Sequence, residues 1–228
     1  MAARRRHIVV AIPSYSGTVH IGTMRSLMHD VVAMMRRGDV VSVSDESCNT
    51  ELAVARALTV ARFLRMDGAT HLVMVDTDVM WSKGGVLRLV DHDEDCVAGV
   101  YPQRKDPISF PLRWLDEEQP NSYRQHPSKG LIEVGGVAAG FLCCTRAMLE
   151  AMVKEYASSR FVRDGEEAWD LFDRVMIGDR RLSEDYSFCE RWRRMGGSVW
   201  VDPAIHMGHV GLKVFAGSLG EWSDGDRA

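Results

Sequence analysis

Two aspartates one residue apart, Asp76-Thr77-Asp78, follow the apolar run Leu72-Val73-Met74-Val75. In an extended segment, residues two apart point the same way, so both carboxylates share one side. Hard oxygen donors in that arrangement suit Mg2+ or Mn2+ holding a diphosphate. The triplet also reads as an ordinary polar turn. The preceding run favours the metal site, because ligands of open α/β sheets bind beyond the carboxyl ends of strands.

Four more groups have chemistry in their types and spacing. Asn49 and Arg56 are seven apart, which puts them on one face of a helix two turns apart. In Ser183-Glu184-Asp185 the serine caps a helix and the acids complement its dipole, yet either acid is also a candidate general base for an acceptor hydroxyl. His206 and His209 lie three apart among glycines and are candidate metal ligands through neutral imidazole nitrogens. Tyr101-Pro102-Gln103-Arg104-Lys105 carries cations that can meet phosphate or sugar hydroxyls, with Lys105 taken as the donor contact.

The elements that must hold these residues alternate. Ile8–Ile12 is a continuous apolar run that ends at Pro13 and reads as a central parallel strand. A helix around 22–35, a strand at 40–43, a helix over 49–66 and the strand 72–75 follow. A short helix at 84–90 and a strand at 96–101 come next. Later strands are expected at 131–134, 141–144 and 199–201, with helices at 146–156 and 184–195. Alternation of this kind predicts one α/β domain, residues 1–228, with an open, mostly parallel sheet flanked by helices. Residues 104–129 carry four prolines and little periodicity, and read as a long mobile excursion. Its aromatic residues Phe110, Trp114 and Tyr123 suggest a lid that orders on ligand binding. The polar tail after 222 reads as frayed.

The segment Thr70–Val79, ending in Asp76-Thr77-Asp78, resembles the signature of GT-A glycosyltransferases, particularly the family 2-like group. Three further segments fit in the same order: Ile12–Gly17, Glu184-Asp185 and His209-Val210-Gly211. The resemblance covers roughly residues 7–211 and rests on motif order. It implies a GT-A (Rossmann-like) fold and transfer of a sugar from a nucleotide-sugar, typically a UDP-sugar, to a hydroxyl acceptor. By this resemblance Pro13 and Tyr15 receive the nucleotide and Arg56 faces the donor. The further candidate donor contacts are Asn49 (by its spacing to Arg56), Asp76, and Lys105, which lies in a basic turn that also reads as simply solvated. Asp76, Asp78 and His209 hold Mn2+ or Mg2+, and Asp185 is the base if the anomeric centre inverts. Ala55-Arg56-Ala57 departs from the family's Ala-Arg-Asn, with Ala57 in place of the asparagine. The acceptor classes it leaves open include glycans and hydroxymethylated bases in phage DNA. The rival readings are a nucleotidyltransferase and a non-catalytic nucleotide-sugar- or glycan-binding module. Against the first, Pro13-Ser14-Tyr15-Ser16-Gly17 contains no G-x-G-x-x-G-like run.

Global composition bounds these readings. The chain has 228 residues and a net charge of −4, so it has no global basic field to gather nucleic acid. Nucleic acid then enters only as an acceptor met by a local patch. No apolar run reaches the length of a membrane span, and no membrane partner is expected. Five cysteines with no C-x-x-C pair read as free buried thiols in a reducing cytoplasm, and Cys143-Cys144 as core.

Overall fold

The computed structural model describes residues 5–47, 50–119 and 121–225. Asn49, expected at the donor site, lies outside them. The first part alternates strand and helix: β1 (His7–Ser14), α1 (Ile21–Arg37), β2 (Val40–Ser47), α2 (Leu52–Arg65) and β3 (His71–Val75). There follow β4 (Val79–Trp81), α3 (Gly85–Asp91), β5 (Cys96–Ala98), β6 (Leu112–Arg113), β7 (Arg124–Gln125), β8 (Ile132–Val134), β9 (Gly136–Val137) and β10 (Phe141–Thr145). The chain continues through α4 (Arg146–Glu155), β11 (Arg160–Arg163), β12 (Glu166–Trp169), β13 (Met176–Ile177), β14 (Arg180–Arg181) and α5 (Glu184–Arg194). It ends with β15 (Val199–Val201), β16 (Met207–Val210), β17 (Val214–Gly217) and α6 (Leu219–Gly225). Helix α6 thus carries regular structure past Trp222, where the sequence suggests a frayed tail.

Eight strands form the main sheet in the order β2-β1-β3-β10-β5-β15-β8-β7. The pairings of β1 with β2 and β3, and of β5 with β15, are parallel; β10 and β8 run against their neighbours. Six of the eight strands therefore point one way, as α/β alternation requires. The period-two pleat sends alternate residues to opposite faces. Val9, Ala11, Leu72 and Met74 join one core with Phe63 of α2, Leu149 of α4 and Phe188 of α5. Ile8, Val10, Val73 and Val75 join the other with Leu27 of α1 and Leu89 of α3. Both faces are covered, which explains why β1 is apolar from Ile8 to Pro13 and β3 from Leu72 to Val75.

The excursion 104–129 is tied down at two places: β6 pairs with β9, and β7 pairs with β8. Phe110 is buried and lies 5.8 Å from the ring of Trp222, and Trp114 packs against the α2/α4/α5 side of the sheet. Core packing thus accounts for these two rings, which the sequence reading assigned to a ligand lid. Residues 104–107 are exposed. Cys96, Cys143, Cys144 and Cys189 are buried and free. No helix among the described residues is long and apolar enough to cross a membrane.

Candidate functional site

The carboxyl end of β3 delivers Asp76 to the sheet edge. Its backbone N–H donates to the Gly140 carbonyl at 2.9 Å. One side-chain oxygen accepts from Arg56 at 3.1 Å and the other from the Tyr101 hydroxyl at 3.1 Å. Gly140 makes this approach possible, because a Cβ there would overlap the Asp76 carboxylate and the Tyr101 hydroxyl. Gly140→Ala is therefore expected to displace Asp76 and Tyr101 and to lower the melting temperature; an unchanged melting temperature would show that the Asp76–Tyr101 contact is dispensable.

Arg56 is an arginine of α2 with only 1% exposure. It is no solvated helix residue. It pairs with Asp185, with Glu184 at 3.4 Å and with Asp76 at 3.1 Å. A buried cation survives only with such partners. Its pKa is raised: burial opposes the charge, and the acids, led by Asp185, outweigh it. Its Nε has no hydrogen-bond partner.

Asp185 sits in the first turn of α5, which Ser183 caps through the Tyr186 N–H. Capping and site chemistry therefore coexist. Burial pushes the Asp185 carboxyl up to about 6, against the opposing pull of Arg56 and a backbone hydrogen bond at Ala139. At this one ion pair, desolvation dominates at the acid and attraction dominates at the arginine. The result is a carboxylate that is ionised at neutral pH yet holds a proton far better than an exposed one.

Asp78 stands at the other end of the triplet. The β4 strand that follows it pairs antiparallel with β16, placing His209 opposite Val79. The Val210 N–H donates to the Asp78 carbonyl at 2.9 Å, and His209 Nε2 lies 3.5 Å from Asp78 Oδ1. His209 Nδ1 lies 2.9 Å from the Pro102 carbonyl, a contact that makes Nδ1 the protonated nitrogen. Burial lowers the imidazole pKa. A neutral Nε2 lone pair is thus turned towards a carboxylate oxygen, with the carbonyl fixing the ring as in metal-binding histidines. Two ligands at about 2.1 Å from one divalent ion stand on the order of 3 Å apart, so this pair fits. His206 is exposed, and only its backbone carbonyl is engaged, by the Ser82 N–H; of the two histidines it is His209 that meets Asp78.

The third expected ligand is placed differently. Both Asp76 oxygens are occupied by Arg56 and Tyr101. Among the described residues, no group of three His, Cys, Asp or Glu side chains lies together as a metal cluster. The cation that meets Asp78 is Arg104, on the oxygen opposite His209. Lys105, the expected donor contact, is exposed. Pro13 is buried within β1, and Tyr15 stands exposed just beyond its carboxyl end. The structure thus joins Arg56, Asp76 and Asp185 in one buried network, and Asp78 with His209 beside it. Tyr101 adds a bridge, lying edge-on to His209 at 4.9 Å while donating to Asp76. Sequence reading missed the role of Tyr101; its position at the carboxyl end of a predicted strand was the available signal.

No family model matches this chain, and no curated protein sequence matches it. Solved structures do. The chain is similar to the A197 protein from STIV, with a TM-score of 0.52 and 15% identity, over 94% of this chain and 91% of that one. It is also similar to GalNAc-T7, solved with UDP, GalNAc and Mn2+, with a TM-score of 0.54 and 11% identity. That match covers 92% of this chain but 45% of the other, so the chain spans less than half the length of GalNAc-T7. At these identities the likeness is one of fold, and the fold is GT-A-like.

Proposed function

We propose that this chain is a metal-dependent glycosyltransferase, moving a sugar from a nucleotide-sugar, a UDP-sugar in the first instance, to a hydroxyl acceptor. The observation that carries the reading is the Asp78–His209 pair, a carboxylate and a neutral imidazole 3.5 Å apart, set beside the buried Asp76–Arg56–Asp185 network at the carboxyl edge of the sheet. A family 2-like membership is part of the proposal.

In this reading Asp78 and His209 hold Mn2+ or Mg2+, which when bound would neutralise the charge of the leaving diphosphate. The residues of the chain do the rest. Arg104 leaves Asp78 and becomes available to phosphate oxygens. Residues 104–107 are exposed and held by Arg104 on Asp78 and Asp106 on Lys213, so release of these two ion pairs would make the first turn the moving part of the excursion. Tyr15 lies where a base or ribose would meet the end of β1. Asp76 keeps Arg56 in place, and Arg56 orients Asp185. The Asp185 carboxylate accepts the proton of the acceptor hydroxyl as that oxygen attacks the anomeric carbon. With a pKa of about 6 it is ionised above that pH and matched to proton transfer near neutrality.

The test is release of nucleoside diphosphate from a panel of nucleotide-sugars, with Mn2+ and with chelator, across glycan, small-molecule and hydroxymethylated-DNA acceptors. The expected result is metal-dependent UDP release that an acceptor stimulates. Binding of every donor without any turnover would establish the glycan- or nucleotide-sugar-binding module in its place.

A further inference from the structure

Helix α1 is built the wrong way round for a surface helix. Its buried face carries Gly22, Thr23, Ser26, Leu27, Asp30 and Met34, half of them polar. These polar groups are all engaged. The Thr23 hydroxyl donates to the Thr77 carbonyl at 3.1 Å, and Ser26 to the Trp81 carbonyl at 2.8 Å. Asp30 accepts from Trp81 Nε1, the Gly84 N–H and the Val86 N–H at 2.9, 2.6 and 2.8 Å. The outer face carries the large apolar residues instead: Ile21, Met24, Met28, Val32 and Met35, with Ile21, Met28 and Met35 each more than 60% exposed. An amphipathic helix normally turns its apolar stripe inward.

The stripe is narrow, with spacings of three, four, four and three residues, the pattern of a helix–helix seam. It has a centre. Ile21 and Met35 are each seven residues from Met28, and Met24 and Val32 each four. An antiparallel copy turned about Met28 therefore sets Ile21 against Met35 and Met24 against Val32, large on large. Arg25 and Arg36 lie on one flank of the stripe, and no acidic side chain of α1 is exposed; in the antiparallel pair the two Arg36 residues stand roughly 24 Å apart along the axis.

The five side chains of the stripe leave on the order of 500 Å² of surface in water, towards the ~800 Å² that each partner of a standard interface buries. The Arg25 and Arg36 stems lie where they would supply the balance. A lipid surface is the poorer fit, since helices that lie in bilayers present a broad face with Trp or Phe, which this stripe lacks.

We infer that the outer face of α1 is a dimer interface, occupied by α1 of a second copy in antiparallel register about Met28. The inference stands apart from the proposed activity. The full chain at micromolar concentration is expected to have twice its 25.5 kDa mass by light scattering, and Met28→Glu is expected to return it to the monomer with an unchanged circular dichroism spectrum. Met28→Leu should remain dimeric. Met28→Cys should give a disulfide-linked dimer on mild oxidation, because the axis passes through that residue, while Val162→Cys, exposed on another strand, should not. A wild-type monomer, or a dimer that Met28→Glu leaves intact, would overturn the assignment. So would a monomer that sediments with anionic phosphatidylglycerol vesicles and loses that binding on Met28→Glu, which would assign the face to lipid.

Discussion

Asp78→Ala is expected to abolish turnover while leaving the melting temperature within a few degrees of wild type. Asp78 is about one-third exposed and contributes to no core, so its surface ion pairs carry little stability. Its expected role lies in the pair with His209. Removing one of two protein ligands leaves a lone imidazole, too weak to retain a hard divalent ion against water. Titration of Mn2+ by calorimetry or by water-proton relaxation should show loss of the site in Asp78→Ala. The same titration should show tighter metal binding in Arg104→Ala, where the competing cation is gone. Retained activity of Asp78→Ala in chelator, or Mn2+ affinity equal in all three proteins, would remove the metal from the proposal.

The second large effect is expected at Asp185. Asp185→Asn should lower the transfer rate by about 100-fold or more, the scale of general-base catalysis, with donor affinity nearly intact. Glu184→Gln should matter less, because Glu184 meets Arg56 only at 3.4 Å. The pH dependence gives a second signature. A base with a pKa of about 6 predicts a wild-type rate that rises with pH through that value and levels off above it. Stability should run the other way for this group. Its folded pKa lies above the unfolded value near 3.9, so the folded state holds the proton more tightly, and the contribution to stability declines as pH rises from about 4 to about 6. The difference in unfolding free energy between wild type and Asp185→Asn should follow that window. If the variant kept its rate and lost only its melting temperature, Asp185 would be a helix cap.

The large elements are readable in the sequence because each is locally consistent. The β1 and β3 runs carry buried-strand patterns, and Ser183 with two acids announces the start of α5. The Asp76-Thr77-Asp78 turn is legible for the same reason: its position after β3 follows from five buried residues in a row. What joins the site is not local. Arg56 and Asp185 are 129 residues apart, and no local spacing links the two. Tyr101 reaches Asp76 only because Gly140 lets the chains approach. The sheet of β4, β16 and β17 has strands of three or four residues, one interrupted by glycine and one ending in it, too short for a periodic signal. Helix α1 was expected from its pattern, but a stripe of methionines reads as core until the structure shows which side it faces.

The pairing of β16 with β4 makes the Asp78–His209 contact a matter of parity. Strand residues change faces at every step, so moving β16 by one position would turn His209 to the far side and present Gly208 or Val210 in its place. One residue inserted between Pro203 and Met207 would therefore disconnect the imidazole while every ligand kept its identity. The turn Gly211-Leu212-Lys213 lies on the other side of His209, and its length is free of this constraint. Lineages of this chain should accumulate length changes after residue 210 and keep the spacing from β15 to His209 fixed, so that an odd gap there marks a copy whose chemistry has been given up.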